Sequence, residues 1–159
     1  MKSLKALFTV AFVALFSVMA SAQSTKYKCM IQMVNYIGKE AYVVASVVSK
    51  EGKYVKTLYV LGKDQKWYHD LEEWHKANKS KLNTFNAITG ASVAGGDRSV
   101  ITVDIDKSYI DKGYMLRFES AVENKGYHVK DLEFPLTTQN LANKQDGTGS
   151  IRYVRFTAL

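Results

Sequence analysis

Proline is almost missing from this chain: Pro135 is the only one among 159 residues. Prolines break helix interiors and central strands, so nearly all of the backbone is free to pair. Cysteine is as scarce. Cys29 alone cannot make an internal disulfide, so the fold has to rely on its core. Cys29 alternates with Tyr27 and Ile31 and reads as a small buried hydrophobe. Histidine is limited to His69, His75 and His128. His69 and His75 fall on different helix faces and make no metal pair of the i, i+4 kind. His69 and Glu73 have that spacing, but such pairs are generic on helix surfaces. Ser92 lacks a Gly-x-Ser-x-Gly setting and a marked His–Asp partner, which argues against a serine hydrolase. Asp104 and Asp106 read as solvated turn residues, with nothing nearby to make a glycosidase pair. Long basic runs are missing too. No nucleic-acid motif accompanies the positive charge, so nucleic acid is excluded as a partner.

What is present begins with an export signal. Lys2 and Lys5 precede an almost wholly apolar run from Leu7 to Met19, and Ala20-Ser21-Ala22 is a small-residue cleavage site. The signal is expected over 1–22, with the mature chain, a single domain, over 23–159. The apolar run is short for a membrane span, so no span is expected after cleavage. Thr25-Lys26-Tyr27-Lys28 lacks the small apolar residues that a lipid anchor at Cys29 would need. Losing Lys2 and Lys5 lowers the formal charge from +7 to +5. That supports a mild attraction to anionic surfaces and no more. The expected location is periplasmic or secreted.

Hydrophobic residues make up 47% of the chain, enough for a packed core. Alternation predicts strands over 26–35, 54–61, 98–104, 113–123, 127–134 and 151–157, and an apolar β-branched run predicts one over 41–49. Lys50-Glu51-Gly52-Lys53 and Asn124-Lys125-Gly126 read as turns. One amphipathic helix is expected over 64–78, with Trp67, Leu71, Trp74 and His75 at helical spacing and Asp64 as N-cap. A long connection over 79–97 and a polar loop over 137–149 complete the chain. About seven short strands with turns between them predict an all-β, immunoglobulin-like β-sandwich with one short helix inserted before the central loop.

That central loop carries the most distinctive stretch, Asn86-Ala87-Ile88-Thr89-Gly90-Ala91-Ser92, with Gly95 and Gly96 behind it. Gly90 and Ala91 put little bulk near the backbone, and Thr89 and Ser92 supply two hydroxyls. Long loops on a rigid scaffold are often functional. Trp67, Tyr68 and Trp74 offer either a stacking surface for a planar ring or pins that hold the helix to its sheet.

The order of residues in that stretch resembles the flavinylation motif of FMN-binding domains, Asp-x-x-Ser/Thr-Gly-Ala-Thr/Ser. Asn86 stands where Asp is usual and Ser92 where Thr is commoner. The resemblance implies that a flavin transferase takes FMN from FAD and joins its phosphate to Ser92, with Asn86, Thr89, Gly90 and Ala91 completing the cofactor site. The layout as a whole resembles the predicted periplasmic proteins of domain-of-unknown-function family 2271. Lys56-Thr57-Leu58, Trp67 to Trp74, Asn86 to Ser92 and the hairpin at Tyr114 to Glu123 carry this likeness. It implies fold and compartment more than mechanism.

Two readings follow. In one, the protein is an exported carrier, not itself an enzyme, that holds covalent FMN for extracytosolic electron transfer with a membrane redox protein. In the other, it is a cofactor-free periplasmic binding or accessory module.

Overall fold

The computed structural model describes residues 23–159, so the expected signal peptide at 1–22 lies outside the described residues. The strands are β1 (Ser24–Met33), β2 (Tyr42–Val48), β3 (Tyr54–Leu61), β4 (Thr89–Gly90), β5 (Arg98–Asp106), β6 (Met115–Val122), β7 (Gly126–Pro135), β8 (Gln145–Asp146) and β9 (Ile151–Ala158). They form a four-stranded sheet in the order β5-β1-β9-β8 and a five-stranded sheet in the order β4-β3-β2-β6-β7. This is the all-β sandwich that the alternation predicts. The seven expected strands are present, and β4 and β8 add two residues each. β2 and β3 share a sheet as a hairpin, whereas the second and third strands of a constant-type immunoglobulin domain lie in opposite sheets. Gly52 turns that hairpin at φ +82°, the left-handed region expected of it.

The core lies between the sheets. Cys29, Ile31 and Met33 of β1 meet Val43, Ala45 and Val47 of β2 and Leu116 and Phe118 of β6. Burial pushes the Cys29 thiol well above its ordinary range, as fits an inert core residue. β3 departs from simple alternation. A register shift opposite Ala45 and Ser46 turns Thr57 toward the helices while Leu58 and Leu61 both face the core. A bulge inverts the facing of every residue on one side of it, which a period-two reading does not foresee.

The five-stranded sheet has a second core on its outer face. Val44, Val60 and Ala121 lie beneath Tyr68, Leu71, Trp74 and Phe85. The expected single helix over 64–78 is a 3-10 helix (Gln65–Asp70) followed by α1 (Glu72–Asn78), and the expected loop continues as a second 3-10 helix (Lys79–Ile88). Asp64 caps the first as predicted, its carboxylate accepting from Lys66 N at 3.2 Å. The burial pattern explains the break. Tyr68, Leu71 and Trp74 recur every three residues, as do Leu82, Phe85 and Ile88. A repeat of three fits the 3-10 turn better than the 3.6 of an α-helix. The polar loop over 137–149 likewise contains a short helix, α2 (Thr138–Ala142), capped by the Thr137 hydroxyl accepting from Asn140 N at 3.2 Å.

Two buried carboxylates organise the strands around these cores. Asp131 of β7 is fully buried. It accepts from the backbone N–H groups of Gly149, Ser150 and Ile151 at 2.7, 2.8 and 2.9 Å and from the Ser120 hydroxyl at 2.5 Å. Glu119 of β6 is fully buried on the outer face. It accepts from the Tyr127 hydroxyl at 2.5 Å and from the Tyr54 hydroxyl. Burial raises the Glu119 carboxyl above the usual carboxylate range, and the two tyrosines and Arg117 offset part of that rise.

Glu119 therefore holds its proton more tightly in the folded state than in the unfolded chain. Its contribution to stability is full below the ordinary carboxylate range and is lost as pH rises above it. Urea melts of the wild type from that range upward are expected to show the decline, and Glu119→Gln to flatten it. Identical slopes in the two proteins would show that Glu119 titrates normally.

Candidate functional site

The glycine-bearing stretch is held at two points. Gly90 lies in β4, parallel to β3, with Gly62 N donating to Gly90 O at 2.8 Å. Val93 bridges to Ala41 through two backbone hydrogen bonds of 2.7 and 3.1 Å. Ala91 and Ser92 form the short crest between these clamps. A Cβ at position 90 would stand 2.8 Å from the Tyr59 hydroxyl, so a larger residue there would displace the Tyr59 ring. The stretch is thus strand and clamped turn rather than free loop, and backbone pairing is what fixes it.

Ser92 is half-buried and Ala91 is exposed. The Ser92 hydroxyl donates to the Glu40 carboxylate, a residue just ahead of the Ala41 bridge. Two open cavities meet at this pair. One, of about 420 Å³, is lined by Glu40, Tyr42, Trp67, Asp70, Ser92 and Glu123 among others. The other, of about 390 Å³, lies behind the crest against Tyr59, Gly90, Ala91 and Arg98. The first is the better candidate for a planar ligand because it contains the partly exposed indole of Trp67 as well as Tyr42, against Tyr59 alone in the second. Trp67 is 41% exposed there, whereas Trp74 is fully buried. Tyr42 packs edge-on against Tyr68 at 6.3 Å. Burial, the largest cause, raises the Tyr42 hydroxyl above its ordinary range, so it stays a neutral donor. Carboxylates dominate the charge of this groove: Glu40, Asp70 and Glu123 stand against Lys39.

The aromatic residues thus divide between the two roles open to them. Tyr68 and Trp74 are pins, and Trp74 Nε1 donates to the Thr57 hydroxyl at 2.8 Å. Trp67 is the partly exposed ring, with Lys66 Nζ 5.3 Å and the His69 ring 6.2 Å from its centroid. The expected helical stripe placed Trp67 on the buried face. The period of three buries Tyr68 instead and turns Trp67 outward.

The structure separates the motif residues. Gly90, Ala91 and Ser92 line the cavities, and Ser92 alone of them lines both. Thr89 donates through its hydroxyl to Asn86 O at 3.2 Å. The Asn86 side chain accepts from Gln65 Nε2 at 2.7 Å and ties together the two 3-10 helices. Glu40, Tyr42 and Glu123 had no signal in the sequence, because each reaches the groove from a distant segment. His69 bonds Asp70, its Nε2 lying 3.1 Å from Asp70 Oδ1, and among the described residues no group of three or more side chains is arranged to hold a metal ion.

Residues 24–153 match the family described as predicted periplasmic protein (DUF2271). That span takes in β1 through the first residues of β9. The chain belongs to DUF2271. Its description agrees with the periplasmic or secreted location expected from the export signal. No helix among the described residues of this DUF2271 protein is long and apolar enough to cross a membrane. No curated protein and no solved structure matches the chain.

Proposed function

We propose that this DUF2271 protein is an exported carrier that holds FMN covalently on Ser92 for extracytosolic electron transfer. One observation carries the reading: Ser92 and the partly exposed Trp67 line the same open groove. A phosphate-linked flavin needs a hydroxyl at the edge of a surface and a ring platform nearby, and both are present. Ser92 would be the tether. Trp67 and Tyr42 would offer aromatic surface to the isoalloxazine. Gly90 and Ala91 add little bulk beside the hydroxyl, and the backbone clamps at Gly90 and Val93 hold the crest, with Asn86 and Thr89 bracing the 3-10 segment before it. The flavin supplies the redox chemistry, and the protein positions it and sets its surroundings. A flavin transferase and a membrane redox protein are the partners this reading calls for.

A cofactor-free binding or accessory module is the competing reading. It is favoured by the Ser92 hydroxyl being half-buried and already satisfied by Glu40. Intact mass separates the two. Co-expression with a flavin transferase in an exporting host is expected to add FMN less one water to the mature protein. Ser92→Ala is expected to abolish the addition at a stability cost of about 1 kcal/mol or less, the usual worth of one hydrogen bond. Ser92→Thr is expected to keep it. A wild type that stays unmodified, while a known acceptor domain is flavinylated in the same cells, favours the module.

A further inference from the structure

We infer that Glu40 is the general base that takes the Ser92 proton when the flavin is attached; this rests on the carrier reading. Glu40 and Ser92 are 52 residues apart in sequence, and the Ser92 hydroxyl donates directly to Glu40 Oε2. The contact is built rather than incidental. Ala41 beside Glu40 and Val93 beside Ser92 are joined by two backbone hydrogen bonds, which fix the carboxylate and the hydroxyl as neighbours. Glu40 is exposed and lines both cavities, so a proton it accepts can pass to water.

A serine hydroxyl is a weak nucleophile until a base removes its proton. Among the described residues, Glu40 is the side chain hydrogen-bonded to it. The second substrate is FAD, delivered by the transferase. The Ser92 proton moves to the Glu40 carboxylate as the Oγ–phosphorus bond forms to the FMN phosphate. The phosphoanhydride bond of FAD breaks, and AMP leaves with its electron pair. Nothing is oxidised or reduced in this step, and the flavin ring is untouched. Glu40 then returns its proton to solvent. The chain itself thus contributes part of the attachment chemistry, and a hydroxyl placed without such a partner would be a poorer acceptor.

The test uses mature protein made without a transferase, then labelled in vitro by purified transferase and FAD. Turnover is followed by intact mass. Glu40→Gln keeps a hydrogen-bond acceptor near Ser92 but cannot take the proton. It is expected to lower kcat about 10²-fold, in the range of a lost general base, with KM for the acceptor protein unchanged. Glu40→Asp is expected to recover part of the rate. An unchanged kcat, or a raised KM at constant kcat, would overturn the inference and leave the carrier reading standing. A wild type that takes no label, when a known acceptor domain does, would end both.

Discussion

Replacing Asp131 by alanine is expected to lower the stability of the sandwich by about 4 kcal/mol, since several buried donors each left without an acceptor cost about 1–3 kcal/mol. Asp131 is fully buried and receives three backbone N–H groups and the Ser120 hydroxyl. Ser150 is itself buried, as is Ile151. Without the carboxylate, these donors face protein with no acceptor. The three N–H groups belong to the turn that starts β9, so the loss falls on the junction between the sheets. Asp131→Asn keeps the volume but sets an NH₂ group against N–H donors, and it is expected to cost roughly half as much. Equilibrium unfolding in denaturant gives both values. A loss below about 1 kcal/mol for the alanine variant would mean that water replaces the carboxylate, which contradicts the burial.

Trp74→Ala is expected to cost about 3–5 kcal/mol, the range for deleting a buried aromatic ring. Trp74 is fully buried, lies 5.4 Å from the rings of Tyr68 and Phe85, and satisfies the Thr57 hydroxyl. The damage should be regional. Hydrogen exchange is expected to rise over 65–88, while β1 and β6 keep their protection. Trp74→Phe fills most of the volume and should recover more than half of the loss. Uniform deprotection of both sheets would show instead that the outer core and the inner core unfold as one unit.

The sandwich was legible because alternation and β-branched runs report which residues face a core, and seven strands were placed within a few residues. β6 illustrates it. Leu116, Phe118 and Val122 face inward as the period of two requires. The helical insertion was legible as helix but not in its pitch. The spacing of Tyr68, Leu71 and Trp74 was visible, yet a helix template of 3.6 residues matched Trp67 and Leu71 as well, and only packing decides between them. The crest at Ser92 was legible from small residues and hydroxyls. Its partner Glu40 was not, because a bridge between Ala41 and Val93 leaves no periodic trace in either segment. Asn86 was legible as part of the motif, but its side chain serves the helices.

β1 is a central strand whose two neighbours are β5 and β9, and Tyr27 pairs with Ala158. The consequence concerns export. A chain passing through a membrane pore must stay unfolded until it has crossed, and a sheet of near neighbours in sequence would close too early. Here the first strand has no partner until β5, more than sixty residues on, and completes its pairing only with β9 near the far end. Loop closure over such a span is entropically costly and slow to find. The β2–β3 hairpin can form locally, but the four-stranded sheet cannot. The topology defers closure of the four-stranded sheet to the last strands, which would suit a chain threaded across a membrane before it folds.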